Sequence, residues 1–186
     1  MHLTGSIDDL DKWMTQVNSG LIPADPFLLI GQMTTADPTR SPTGTEALWA
    51  YTHVPHHVSG DAGSQGITGR WDKSDAQRMA DRMQQKIEHA APGFTDRVLA
   101  RRILAPPDLH NRDANLVGGA LNGGTAALHQ QLIFRPIPGL GRAETPIQCL
   151  YLGSAATHPG GGVHGACGAN AARAALAHHR LHRPTR

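Results

Sequence analysis

The sequence predicts an α+β chain, α/β in part: a mixed, largely antiparallel sheet with helices, followed by a strand, a glycine turn and a closing helix. Three observations predict it. Two short apolar runs, residues 27–30 and 47–54, are separated by turn residues and read as a pair of strands. Apolar residues recur at three- and four-residue intervals over 6–19 and 74–91, as on a helix with one buried face. Residues 149–176 pass from an apolar run, through Pro-Gly-Gly-Gly, to alanines at helical spacing.

In order, Ser6 can cap a helix whose first turn is acidic and whose face is Ile7, Leu10, Met14 and Val17, with Gly20 as its stop. Pro23 and Pro26 lead into the buried strand Phe27, Leu28, Leu29 and Ile30. Residues 37–44 are turn chemistry throughout. The run from Ala47 to Val54 is the second strand, antiparallel to the first. Residues 55–70, rich in Gly, Ser and His, read as a mobile loop. Ser74 caps the next helix, which carries Met79, Met83, Ile87 and Ala90 on its apolar face and ends at Pro92-Gly93. Residues 97–104 read as a strand at a sheet edge. Pro106-Pro107-Asp108 starts a turn or short helix, and 115–124 hold four glycines, where the backbone must pass close to something. Residues 126–133 read as a short helix or strand. A buried strand over 149–152 and a helix over 163–176 close the chain.

Composition narrows the function classes. With 186 residues the chain is long enough for one domain with a core. A net charge of +2 is too small to argue for nucleic acid. The positive charge gathers at the end: Arg173, Arg180, Arg183 and Arg186 have no acidic residue after Glu144, which suits the negative end of a final helix. Cys149 and Cys167 are the only cysteines; one falls in a strand and one at a helix start, and reduced thiols in a cytoplasmic protein are expected. No signal peptide is visible in the first twenty residues, which carry three aspartates, and no apolar run reaches the ~20 residues of a membrane span.

Gly160, Gly162 and Gly165 satisfy G-x-G-x-x-G, but a dinucleotide fingerprint needs a following strand and an acidic residue about 20 positions on, and neither is there. Two readings of the turn remain open on the residues alone. It is a tight strand-to-helix connection without a ligand, or a place where bare backbone and helix-start amides meet an electron-rich one. His158, His164 and Cys167 raise the question of a metal; a triglycine between two histidines preorganises tetrahedral ligands poorly, so none is expected. His53, His56 and His57 read as loop and edge residues. No side chain reads as a catalytic base or nucleophile.

The run Thr157-His158-Pro159-Gly160-Gly161-Gly162-Val163-His164-Gly165, with Tyr151-Leu152 before it and Gly168-Ala169-Asn170-Ala171-Ala172-Arg173 after it, closely resembles the C-terminal flavin motif of the phytoene-desaturase-like FAD oxidoreductases, in particular the phytoene dehydrogenase-related and pyridine nucleotide-disulfide oxidoreductase domain-containing branch. The resemblance extends to P-F-L-L at 26–29, L-W-A-Y-T-H-V-P at 48–55, N-L-x-G-G at 115–119, L-H-Q-Q at 128–131 and F-R-P at 134–136. It implies a partial substrate domain over 1–145, the return segment of an FAD domain over 146–180 and a basic tail over 181–186. Residues Thr157 to Gly165 would then meet the isoalloxazine and ribityl end of FAD, largely through backbone. The implied reaction is dehydrogenation of an apolar small-molecule substrate, with hydride passing to the flavin.

The chain departs from the family pattern at Ala120, where many relatives carry an acidic residue, and at Ser154 and Ala156, where glycines are usual. No N-terminal Rossmann half with its G-x-G-x-x-G turn and acidic ribose partner is found in it. The chain is therefore expected to need an ADP-binding partner. The alternatives are a non-catalytic remnant that serves as a dimeric binding module of the same fold, and a truncation; self-association is expected.

Overall fold

A computed structural model describes residues 1–125 and 127–181. The chain divides into two compact units, Met1–Ala105 and Pro106–Arg186.

In the first unit, β1 (His2–Leu3), β3 (Leu28–Gln32) and β4 (Leu48–Tyr51) form an antiparallel sheet in the order β1-β3-β4, while β2 (Leu21–Ile22) pairs in parallel with β5 (Gly60–Asp61). Leu29 faces Tyr51 and Gly31 faces Trp49 in the β3–β4 ladder, so the two apolar runs pair antiparallel. Alternation puts Leu28 and Ile30 on the inner face, both buried.

Helix α1 (Ile7–Asn18) is capped by Ser6, whose hydroxyl accepts from the Asp9 amide. Its inner face keeps Leu10 and Val17 of the expected four but not Ile7 and Met14, which are exposed. Asp9, Leu10, Trp13, Gln16 and Val17 are the half-buried residues, with Trp13 packed on Phe27. Helix α2 (Lys73–Ala90) starts one residue before Ser74. Its cap is Asp72, whose carboxylate accepts from the Asp75 amide. Asp75 in turn accepts from the Thr68 and Trp71 amides and the Thr68 hydroxyl, locking the preceding turn.

Helix α2 builds the core. Met79 joins Ile22 and Ile67 in one buried cluster, Ile87 joins Leu28 and Ile30 in another, and Met83 touches both. The segment expected to be a mobile loop is pinned instead. Ile67 sits in the core, and Asp61 accepts from the Gly63 and Ile67 amides and pairs with Arg82 at 2.8 Å. Residues 98–104 form no strand. They pair with no strand among the described residues, and Leu99 is exposed to solvent.

The second unit has helix α3 (Pro106–Arg112), a series of 3₁₀ turns and helix α4 (Ala166–Leu181). Residues 127–133, expected as helix or strand, form two such turns, Leu128–Gln130 and Leu132–Phe134; Ala126 lies outside the described residues. The strand expected over 149–152 is reduced to a single bridge between Glu144 and Tyr151. Cys149 takes a φ of 63°, which breaks an extended run, and it is exposed. Helix α4 begins three residues later than expected because Gly165, at a φ of 61°, lies outside helical space. Of the basic tail, only Leu181 is described; Arg183 and Arg186 lie outside the described residues.

Candidate functional site

Residues 106–181 bury little apolar surface. Their buried residues are Arg135, Ala143, Thr157, Gly160 and Cys167, while Leu128, Leu132, Ile133 and Ile137 face solvent. A unit that buries polar groups and exposes leucines inverts the usual arrangement, and exposed apolar patches of this kind mark interaction surfaces.

The glycine loop is organised around these buried groups. Thr157 is fully buried, its hydroxyl donating to the Arg142 carbonyl at 3.1 Å and its amide to Ser154 at 3.1 Å. His158 Nδ1 donates to the Leu132 carbonyl at 2.9 Å. Pro159 follows a cis peptide bond and is exposed. Gly160, buried at a φ of 107°, lies against Arg135; a Cβ there would stand 3.5 Å from Arg135 Nε. The Cys167 thiol donates to the Gly160 carbonyl at 3.2 Å and so ties the loop to the start of α4.

Beyond Gly160 the chain turns outward: Gly161, Gly162, Val163, His164 and Gly165 are exposed. Gly161 is crowded from one side, where a Cβ would meet Asn122 Oδ1, so a larger residue there would have to displace that side chain. His164 Nδ1 accepts from the Ala166 amide at 3.0 Å, and the Gly165 carbonyl accepts from Ala169. The Cys167 and Gly168 amides have no acceptor among the described residues, as at any helix start not closed by a cap. Of the nine residues expected to contact a ligand, the five from Gly161 to Gly165 therefore form one exposed ribbon. Thr157 and Gly160 support it from within, and His158 is half-buried between the two groups.

Arg135 was not singled out by the sequence. Its guanidinium is 4% exposed and donates to the carbonyls of Gln130 (2.9 Å), Ala155 (2.8 Å), Gly123 and Thr125. The signal was an arginine in an apolar Phe-Arg-Pro run, in a region whose last acidic residue is Glu144. Cys167 and Asn122 were likewise legible only as residues near glycines. Among the described residues, no three of His, Cys, Asp or Glu gather to hold a metal.

The first unit carries a second feature, a ribbon of rings. Trp49, Tyr51 and His53 alternate along β4 and its extension, with centroids 5.4 and 5.9 Å apart, and the series continues through Trp13 (5.9 Å) to Phe27 (5.3 Å). Partial burial beside these rings pushes the His53 pKa down. Trp13 Nε1 is buried without a hydrogen-bond partner.

No family model and no solved structure matches the chain. Curated proteins do. Pyridine nucleotide-disulfide oxidoreductase domain-containing protein 2 of Mus musculus is 37% identical over 165 residues, 88% of this chain and 27% of that protein. Phytoene desaturase (lycopene-forming) of Pseudescherichia vulneris is 29% identical over 164 residues, 87% of this chain and 30% of that protein. Phytoene desaturase (neurosporene-forming) of Cereibacter sphaeroides is 27% identical over 158 residues, 85% of this chain and 28% of that protein. The chain thus spans under a third of the length of the curated relatives it matches. Over most of its own length it belongs to the family of oxidoreductases and desaturases that these proteins represent, and it corresponds to the C-terminal portion of that family.

Proposed function

We propose that the chain supplies the flavin-facing return segment and part of the substrate domain of an FAD-dependent dehydrogenase or desaturase, acting with an ADP-binding half. The observation that carries this is the exposed glycine ribbon from Gly161 to Gly165, which leads into the start of α4 and follows a buried Gly160 tied to that helix by the Cys167 thiol. The residues present fit such a group. Bare backbone admits a flat ligand closely, the Cys167 and Gly168 amides have no acceptor among the described residues, and no acidic side chain after Glu144 opposes electron-rich edges. A bound flavin would supply the electron acceptor for removing hydrogen from the substrate. The chain's own residues would orient it. Gly161 and Gly162 admit it, the α4 amides face its electron-rich edge, and Thr157 and Cys167 keep the loop in place from below. The ring ribbon from Trp49 to Phe27 supports an apolar substrate, because stacked aromatic faces offer area without hydrogen-bonding demands. No helix among the described residues is long and apolar enough to cross a membrane.

A second reading, a non-catalytic dimeric module, is favoured by the exposed apolar turns, with Leu128 88% and Leu132 71% accessible. The experiment that separates the two is a visible absorbance spectrum of the purified chain after incubation with FAD and removal of free flavin, alone and with an ADP-binding half supplied as a separate polypeptide. Retained flavin in either preparation is the expected result. A folded, dimeric chain that stays colourless in both refutes the first reading and leaves the second.

A further inference from the structure

We propose that the free edge of β4 is an interface between two copies of this chain, the second copy laying its own β4 antiparallel to the first about a two-fold axis at Ala50. The interface lies within residues 1–105 and is independent of the flavin reading.

The phase of the ladder decides which backbone groups are free. β4 is the last strand of its sheet, and the Met33 amide donates to the Ala47 carbonyl at 2.8 Å in the register that sets Gly31 against Trp49 and Leu29 against Tyr51. Bonded and non-bonded pairs alternate in an antiparallel ladder, so these are the pairs that exchange hydrogen bonds. Ile30 has the complementary phase: its amide and carbonyl bond to Met1, on the β1 side, at 2.9 and 2.7 Å. Leu48 and Ala50, with Thr52 continuing the alternation, therefore turn their amides and carbonyls away from β3. No hydrogen bond among the described residues takes them up.

An edge of this kind is ordinarily blunted by a charge, a proline or a covering element, because it is a template for another strand. Residues 47–54 hold no charged residue and no proline, and Leu48 and Trp49 are 38% and 42% exposed. β1, at the other edge of the sheet, is only two residues long.

The second copy fits because this edge is complementary to itself. About an axis at Ala50, Leu48 meets Thr52 of the second copy and Ala50 meets its own image, each pair exchanging amide-to-carbonyl bonds in both directions. The same register sets Trp49 opposite Tyr51 of the second copy in the closer, non-bonded pairs, where rings gain most from one another. Trp49 and Tyr51 already stack within one strand at 5.4 Å, so the ribbon of rings runs on across the axis. A two-fold axis also brings each residue toward its own kind, and an uncharged edge with alanine at its centre escapes the repulsion that follows. The backbone bonds would accept any extended strand; the paired rings and the small axial residue select a copy of this one.

The full chain is examined by sedimentation velocity over a range of concentrations, with backbone amide hydrogen exchange followed on the same samples. A reversible dimer is expected, the Leu48, Ala50 and Thr52 amides becoming protected as it forms. In a dimer mixed from labelled and unlabelled chains, isotope-filtered NOEs should connect the Trp49 ring of one copy with the Tyr51 ring of the other. Leu48→Lys alters an exposed side chain in both symmetric pairs and should weaken the dimer about tenfold. Should that variant not fold, the wild-type exchange pattern and the filtered contacts decide alone.

A chain that stays monomeric at every concentration, a dimer whose Leu48, Ala50 and Thr52 amides exchange as in the monomer, the absence of ring contacts between copies, or a Leu48→Lys dimer as tight as wild type would each overturn the proposal. A dimer held through the exposed turns around Leu128 and Leu132 gives the second of these results. Protection that appears on adding an ADP-binding half, and not with concentration, assigns the edge to a strand of another polypeptide; it overturns the second copy and leaves the flavin reading standing. A β4 dimer that retains no flavin does the reverse.

Discussion

Replacing Arg82 with Met withdraws the one cation in the core of the first unit. The guanidinium is 4% exposed and donates to Asp61 Oδ2 at 2.8 Å, the Pro23 carbonyl at 2.6 Å and Gln65 Oε1 at 2.6 Å, tying α2 to β5 and to the segments that follow β2 and β5. Methionine fills much of the stem's volume but leaves Asp61 ionised, buried and held only by the Gly63 and Ile67 amides. Breaking a buried pair from one side costs about 3–5 kcal/mol, and that loss is expected at pH 7. Urea unfolding followed by tryptophan fluorescence measures it for the right unit, because Trp13, Trp49 and Trp71 all lie within residues 1–105.

The pH dependence gives a sharper check. Burial pushes the Asp61 carboxyl up, but the Arg82 bond and the Ile67 and Gly63 amides outweigh it and hold the pKa below its ordinary 3.8. With a depressed folded pKa, the stability Asp61 contributes is present above the unfolded value and lost as pH falls through the folded one. Without Arg82 the carboxyl protonates at higher pH, and the neutral acid needs no counter-charge. The gap between wild type and Arg82→Met should therefore narrow as pH falls through the acid range, while other carboxylates, Asp75 included, cancel in the difference. Adding Asp61→Asn should recover part of the loss at pH 7 by removing the orphaned charge. A deficit below about 1 kcal/mol at pH 7, or one that stays constant into the acid range, would refute a buried charge pair as the source of the stability.

Two further substitutions test other contacts. Gly31→Ala places a Cβ 2.4 Å from the Trp49 ring across the β3–β4 ladder and should cost about 1–3 kcal/mol by overpacking; the cost should vanish in a Trp49→Ala background, measured by the fluorescence of Trp13 and Trp71. Asp72→Ala should remove about 1 kcal/mol from the same unfolding transition through loss of the α2 cap, while Ser74→Ala should fall within about 0.5 kcal/mol; equal effects would contradict Asp72 as the cap.

What the sequence by itself determined is what short-range chemistry governs. Ser6 caps α1, the Met79, Met83 and Ile87 spacing makes α2 amphipathic, and the apolar runs ending at Ile30 and Val54 read as two strands joined by a connection, residues 33–47, rich in turn residues. The glycine loop was legible too, since the positive φ at Gly160 and Gly165 is written in the residue type. The tertiary structure decided whatever depends on a partner distant in sequence. Residues 98–104 and 149–152 have strand-like composition but no complementary ladder, and a lone strand has nowhere to place its backbone hydrogen bonds. On α1, Trp13 packs on Phe27 while Ile7 and Met14 stay exposed. The burial of Arg135 was decided in the same way. A guanidinium reads as a surface group in any sequence, and only the convergence of carbonyls from Gly123, Thr125, Gln130 and Ala155, up to 20 residues away, could replace the water it gave up.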